Sequence, residues 1–142
     1  MTCVDPGHMR VAIIGGGAAG LMCAAAIHET DPSVEAFLIE RNDGLGKKVI
    51  ISGGGRCNVT TGLQDVKAGL ASYPRGGKFL TSAMHAFPPA ATCAWFEAHG
   101  VPLKVQADRR VFPVSDDGRD IVRAFEDLFR GGNVRVMLNA SV

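Results

Sequence analysis

The run Val11, Ala12, Ile13, Ile14, Gly15, Gly16, Gly17, Ala18, Ala19, Gly20 constrains this chain more than any other. Four apolar, mostly β-branched residues pass without a charge into glycines, and residues 21–27 continue as an alanine-rich segment of good helix propensity. The order is strand, glycine turn, helix. In the spacing Gly15-x-Gly17-x-x-Gly20 the first glycine lets the chain reverse. The second leaves no Cβ where a pyrophosphate approaches the backbone, and the third lets the helix pack close to the strand. The helix then turns its unpaired amides and positive dipole end toward the phosphates.

A glycine triplet is a weak signal alone, and the residues after it supply the context. Val34, Glu35, Ala36, Phe37, Leu38 and Ile39 read as a second strand. It ends on Glu40, twenty residues past Gly20, where a dinucleotide fold places a carboxylate to accept hydrogen bonds from an adenosine ribose. Asp31, Pro32 and Ser33 break the helix before it. Glu40 would repel a ribose 2′-phosphate. Arg41 adjoins it, but successive strand residues point to opposite faces, so the ribose expected here is unphosphorylated.

Composition bounds the alternatives. At 142 residues the chain is long enough for one domain with a real core. Its 18 glycines cluster in loops without a fixed period, which excludes collagen-like and low-complexity classes. A net charge of +1 gives no electrostatic argument for nucleic acid or an acidic membrane surface, so neither is expected as a partner. Cys3, Cys23, Cys57 and Cys93 are scattered, with no C-x-x-C pair and no histidine at ligand spacing. That pattern argues against a metal site and a disulfide framework, and for reduced thiols in a cytoplasm. The uncharged run over residues 11–27 is shorter than the roughly 20 residues a membrane span needs. Residues 1–9 do not resemble a secretory leader, because Asp5, Pro6 and Gly7 intervene, and they are expected to form a disordered lead to a domain over residues 10–142.

A turn-rich loop after Glu40 leads to Lys47 and Lys48, then to Ser52, Gly53, Gly54, Gly55, Arg56, Cys57 and Asn58. A plain nicotinamide-binding domain goes from its second strand to a helix and third strand through short connections. Here a second glycine-rich, basic loop intervenes. Consecutive glycines can expose backbone amides, and an adjacent arginine offers a planar cation suited to phosphate oxygens. A kinase-type phosphate loop at Gly46-Lys47 fails on spacing, since Arg41 and Lys48 stand where that motif needs glycine and Ser or Thr.

These segments together, with Ile51-Ser52-Gly53-Gly54-Gly55-Arg56-Cys57-Asn58-Val59-Thr60 the most specific, resemble the bacterial BaiN/YhiN-type flavoproteins, NAD(P)/FAD-dependent oxidoreductases. Leu45-Gly46-Lys47-Lys48, Gly77-Lys78-Phe79-Leu80, Gly100-Val101-Pro102-Leu103-Lys104 and Arg110-Val111-Phe112-Pro113-Val114-Ser115 extend the likeness to the last residue. The resemblance implies an α/β, Rossmann-like FAD-binding domain of the glutathione-reductase-like type, a parallel sheet with flanking helices, incomplete at its C-terminus. It implies that Gly15, Gly17, Ala18, Ala19 and Gly20 hold the FAD pyrophosphate and Glu40 the adenosine ribose. Residues 52–58 would serve the phosphates and the approach to the flavin, and Val142 would lie near the adenine. Arg41 and Lys47 complete the expected cofactor-binding set, with NAD(P)H as electron donor and a small molecule as substrate.

Further along, Phe79, Leu80, Ala83, Met84 and Phe87 mark one apolar helix face, stopped by Pro88-Pro89. A second helix over residues 90–99 places Ala91, Trp95 and Ala98 on one side and ends at Gly100. Residues 101–105 and 110–114 read as an antiparallel pair around Ala107-Asp108-Arg109. A third helix starts near Ser115, Asp116 and Asp117, buries Ile121, Val122, Phe125, Leu128 and Phe129, and stops at Gly131-Gly132. Val134, Val136 and Leu138 then alternate in a strand expected to join the sheet beside the second.

No nucleophile and base pair, and no carboxylate pair, suggests acid/base work by the protein itself. Cys57 has no second cysteine within thirty residues, which disfavours a dithiol relay and favours a small residue packed under its loop. His28, His85 and His99 read as structural. Three functions stay open: an FAD-dependent oxidoreductase, an NAD-dependent dehydrogenase, and a truncated nucleotide-binding module without turnover.

Overall fold

The computed structural model describes residues 9–63 and 65–142; of the expected disordered lead, all but Met9 lies outside the described residues. In chain order the elements are β1 (Arg10–Ile14), α1 (Ala18–Thr30), β2 (Glu35–Ile39), α2 (Lys47–Ile51), β3 (Thr60–Thr61) and α3 (Val66–Ala71). Then follow α4 (Gly77–Ala86), α5 (Pro89–Ala98), β4 (Leu103–Val105), β5 (Arg110–Pro113), α6 (Gly118–Phe129) and β6 (Val134–Met137). They form two compact units, Met1–Val49 with Phe125–Val142, and Ile50–Ala124. No helix among the described residues is long and apolar enough to cross a membrane.

The first unit holds a three-stranded parallel sheet in the order β1-β2-β6, as the alternating third strand required. Ile13, Leu38 and Val136 lie in register across it. The central strand alternates, with Ala36 and Leu38 fully buried between half-buried Glu35, Phe37 and Ile39. Helix α1 packs on β1 and β2 through Leu21, Ala24 and Ala25, none of which is exposed. Three such burials contribute roughly 1.5–3 kcal/mol for the leucine and less for each alanine. At the sheet's lower end His28 Nδ1 meets the Asn133 side-chain oxygen, and Asn133 Nδ2 donates to the Val34 carbonyl over 2.6 Å.

The second unit carries an antiparallel sheet in the order β3-β5-β4. The expected hairpin is present, with Arg109 at φ 65° in its turn and Leu103 and Val105 opposite Pro113 and Val111. Val111 and Phe112 of its middle strand are fully buried. Strand β3 and helix α3 carry no usable periodicity: the strand has two residues, and α3 has six, capped by the Asp65 carboxylate accepting from the Lys67 amide over 3.0 Å.

At two helices the apolar pattern and the burial differ. Helix α4 forms where expected, but its apolar face is not buried: Phe79 is 88% exposed and Phe87 40%, while Leu80 and Met84 are only half covered. On α5 the buried aromatic is Phe96, whereas Trp95 is half-buried and stacks on His99 with centroids 4.0 Å apart. Helix α6 matches its pattern, with Ile121, Val122, Phe125 and Phe129 buried and the Asp117 carboxylate accepting from the Arg119 amide over 2.9 Å.

Candidate nucleotide-binding site

The first unit builds a cavity of about 300 Å³ at the C-terminal ends of β1 and β2. Gly15, Gly16 and Gly17 form one wall, Glu40, Arg41, Asn42 and Gly44 the next, Lys47 and Lys48 a third, and Ala140, Ser141 and Val142 the last. Open α/β sheets bind ligands at this end of their strands.

Each glycine has a separate physical reason. Gly15 sits at φ 101°, a conformation that side-chain-bearing residues rarely adopt, and its amide donates to the Ile39 carbonyl over 2.8 Å, tying the turn to β2. A Cβ at Gly20 would stand 1.9 Å from the Gly15 carbonyl oxygen, so α1 could not lie this close to the turn with any other residue there. A Cβ at Gly17 meets nothing within 4 Å: the open space beside it is the cavity. Ala18, Ala19 and Gly20 lie in the first turn of α1 and do not line the cavity; Gly17 precedes the helix in extended geometry with no side-chain cap. Sequence reasoning passed over Gly16, whose Cβ would meet Leu45 Cδ2 at 2.4 Å and Glu40 Cβ at 3.2 Å.

Glu40 is 8% exposed and held by the main chain around it. Its Oε2 accepts from the Gly16 amide over 2.7 Å, and its Oε1 accepts from the Asn42 amide over 2.8 Å and from the Asn42 side chain. The Asn42 amide first and the Gly16 amide next hold its carboxyl below the ordinary value, against a smaller opposing effect of burial. A carboxylate has about four lone-pair sites, so it keeps acceptor capacity for a ribose hydroxyl on its cavity side.

Both Glu40 and Arg41 line the cavity, Glu40 buried and Arg41 exposed, as strand alternation leads one to expect. The Glu40 amide continues the pairing of β2 with β6 by donating to the Met137 carbonyl over 2.8 Å. Lys47 pairs with Asp43 over 2.6 Å, which lowers the Asp43 carboxyl, while Lys48 makes no salt bridge among the described residues. The last wall follows β6: the Asn139 amide donates to the Asn42 carbonyl over 2.9 Å and the Ala140 amide to the Glu40 carbonyl over 3.0 Å. Asn42, Gly44, Ala140 and Ser141 were legible only as residues flanking the acid and following the third strand.

Residues 52–58 form a tight loop in the second unit. Gly53, Gly54 and Gly55 take φ of 58°, 74° and 88°, and Cys57 takes 58°. The expected row of three exposed amides is incomplete, because the Gly55 amide bonds the Ile51 and Ser52 carbonyls at 3.2 Å. The Cys57 amide donates to Ser52 over 2.9 Å, and the Gly118 amide donates to the Gly55 carbonyl over 2.9 Å. A Cβ at Gly118 would stand 2.7 Å from the Ile50 carbonyl oxygen, a contact with no sequence signal.

Arg56 belongs to this loop's own framework. Its guanidinium lies 4.0 Å from the Phe112 ring centroid, its Nη1 is 3.6 Å from Asp116, and its Nε donates to the Gly53 carbonyl over 3.3 Å. Lys104 also bonds Asp116, and that bond is the main reason its carboxyl lies below the usual range. Cys57 is buried, and burial pushes its thiol up against a partly offsetting hydrogen bond with Ser52. Asn58 follows as the loop's last residue and is exposed.

A family model described as the HI0933-like protein Rossmann domain matches residues 9–142. The chain is 28% identical over 133 residues to the 3-dehydro-bile acid delta(4,6)-reductase of Clostridium scindens, a match covering 94% of this chain and 32% of that protein. It is 32% identical over 130 residues to the ribosomal RNA dihydrouridine synthase of Escherichia coli, covering 92% of this chain and 31% of that protein. A shorter match, 48% over 48 residues, reaches the protein of the same name in Haemophilus influenzae, covering 34% of this chain and 12% of that protein. The chain spans about a third of the length of the first two relatives.

Proposed function

The chain belongs to the HI0933-like protein Rossmann domain family, and from that premise we propose that it is the FAD-binding portion of a flavin-dependent oxidoreductase. The observation that carries this reading is the cavity of the first unit, in which a side-chain-free turn, a buried carboxylate and two lysines converge. A Cβ at Gly17 would project into open space, and the Glu40 charge suits a ribose without a 2′-phosphate. The residues present therefore fit the ADP end of the cofactor. Gly15, Gly16 and Gly17 would take the pyrophosphate, Lys48 would neutralise it, Glu40 would accept from the ribose, and Val142 would adjoin the adenine.

FAD, when bound, supplies the hydride chemistry. The chain's own part is to bind and orient. On the sequence resemblance we assign Ser52, Gly53, Gly54, Gly55, Arg56, Cys57 and Asn58 to contact with the cofactor, NAD(P)H to the role of donor, and the cytoplasm as compartment. The first of the two longer matches is named a reductase of a 3-dehydro-bile acid, and a small organic acceptor is the substrate class this reading adopts.

Titrating the chain with FAD, FMN and ADP, read by quenching of flavin fluorescence, tests it. FAD should bind more tightly than FMN, and ADP should displace it. Equal affinity for FMN without displacement by ADP would overturn the assignment.

A further inference from the structure

The net charge of +1 averages over an uneven distribution. Residues 66–96 contain no aspartate or glutamate, the longest such stretch in the chain, yet they carry Lys67, Arg75 and Lys78. All three are exposed and make no salt bridge among the described residues, whereas Arg56, Lys104, Arg110, Arg119 and Arg123 of the same unit each pair with an aspartate. Helix α4 divides its residues cleanly. At about 3.6 residues per turn, Lys78, Thr81, Ser82 and His85 fall on one side, and Phe79, Leu80, Ala83, Met84 and Ala86 on the other. The apolar side is itself split. Leu80 and Met84 are half covered, with the Met84 methyl 3.6 Å from where a Cβ on Gly69 of α3 would stand. Phe79, Ala83 and Ala86 are exposed at i, i+4 and i+7, and Phe87, whose amide still donates to the Ala83 carbonyl over 2.8 Å, continues the row. Helix α3 thus takes half of the apolar face and leaves the Phe79 ring, 88% exposed, and the Phe87 ring, 40% exposed, to solvent.

We propose that this face of α4 lies on an anionic lipid surface, with Phe79 and Phe87 entering the boundary between headgroups and acyl chains and Lys67, Arg75 and Lys78 held at the lipid phosphates. An interfacial helix needs apolar rings on one side, cations beside them and no acid to be repelled, and its length does not decide the matter. Tyr73, 47% exposed, stands with Lys78 and Phe79 around an open cavity of about 630 Å³ where α4 begins, which gathers an amphipathic ring, an ammonium and the most exposed phenylalanine at one end of the helix. Charge complementarity selects the occupant. A second copy docked through the same face would bring both sets of cations together with no acid among residues 66–96 to pair with them. A protein interface of ordinary size carries about ten hydrogen bonds, and Phe79, Ala83, Ala86 and Phe87 offer no side-chain donor or acceptor. Fluid lipid asks for no such matching. Two rings and three cations give reversible attachment to the surface, not insertion across it.

Co-sedimentation of the whole 142-residue chain with vesicles of mixed phosphatidylglycerol and phosphatidylcholine, against vesicles of phosphatidylcholine alone, tests the proposal. The chain should bind the anionic vesicles and not the neutral ones, and about 1 M salt, which screens charges within about 3 Å, should release most of it. The double variant R75Q/K78Q should weaken binding about twentyfold and F79S about tenfold, with thermal melting unchanged because all three side chains are exposed. Equal binding to neutral vesicles, or unchanged binding in both variants, would overturn the proposal. So would capture of an oligouridylate, or a dimer in sedimentation velocity that F79S abolishes, where the anionic vesicles bind nothing. FAD affinity should be the same in these variants as in the parent, so failure of this surface and failure of the flavin assignment read out separately.

Discussion

The Gly16 amide and the Glu40 carboxylate meet at 2.7 Å, joining the glycine turn after β1 to the residue that follows β2. One side chain thereby orders the backbone of the cavity it helps to line. Binding geometry and local stability are coupled through a single carboxyl group.

That coupling predicts a pH dependence. The Glu40 carboxyl lies below its ordinary value of 4.5 in the folded chain, so its contribution to stability is complete above that value and disappears as pH falls through the lower folded value. Melting temperature in the parent should therefore decline below pH 4.5 more steeply than in E40Q, which has no charge to lose there. At pH 7 E40Q should melt below the parent. Parallel melting curves for the two across the acid range would contradict the assignment.

Gly17 and Gly20 should separate ligand binding from folding. G17A introduces a Cβ into open space, so stability should change by about 0.5 kcal/mol or less while FAD affinity drops about tenfold. In G20A the new carbon would overlap the Gly15 carbonyl, costing about 3 kcal/mol or more. Thermal melts beside FAD titrations distinguish the two effects.

Arg56 tests whether a loop cation serves structure or ligand. Stacked on Phe112, it should cost about 1 kcal/mol of stability when replaced by alanine, with the half-exposed Asp116 pair adding little. A fall in FAD affinity beyond that loss of stability would support the proposed contact of Arg56 with the cofactor, and unchanged affinity would confine the residue to the loop's framework. Phe112 itself is fully buried, and F112A should cost about 3–5 kcal/mol in chemical denaturation.

Thiol reactivity should follow burial. Cys57 is covered and its thiolate disfavoured, whereas Cys23 is exposed. Peptide mapping after brief treatment with a thiol reagent at pH 8 should find Cys23 modified before Cys57. Faster labelling of Cys57 would show a loop more open than its hydrogen bonds imply.

The parts of the fold legible in the sequence are those written in repeated local signals. The parallel pair β1-β2 announced itself through an uncharged run, a glycine spacing and an acid at a fixed distance, and α6 through apolar residues every three or four positions. Position 20 was read correctly because helix–strand proximity admits one residue type only. The two-residue β3 holds too few positions to alternate, and α3 is shorter than two turns. Phe79 illustrates that periodicity shows which face is apolar and says nothing of whether another element covers it. Asn42 and Gly16 escaped notice since their part is played by backbone amides, which every residue but proline possesses.

The cavity's final wall follows β6, pinned to β2 and to the Glu40 and Asn42 carbonyls. Between Glu40 and that wall the chain traverses all of Ile50–Ala124. During vectorial synthesis the glycine turn and its acid leave the ribosome early, then wait for a distant strand whose arrival must offset the entropy of closing a long loop. On the proposed reading, nucleotide capture would accordingly come late in the maturation of this chain and lock an assembled sheet instead of seeding it.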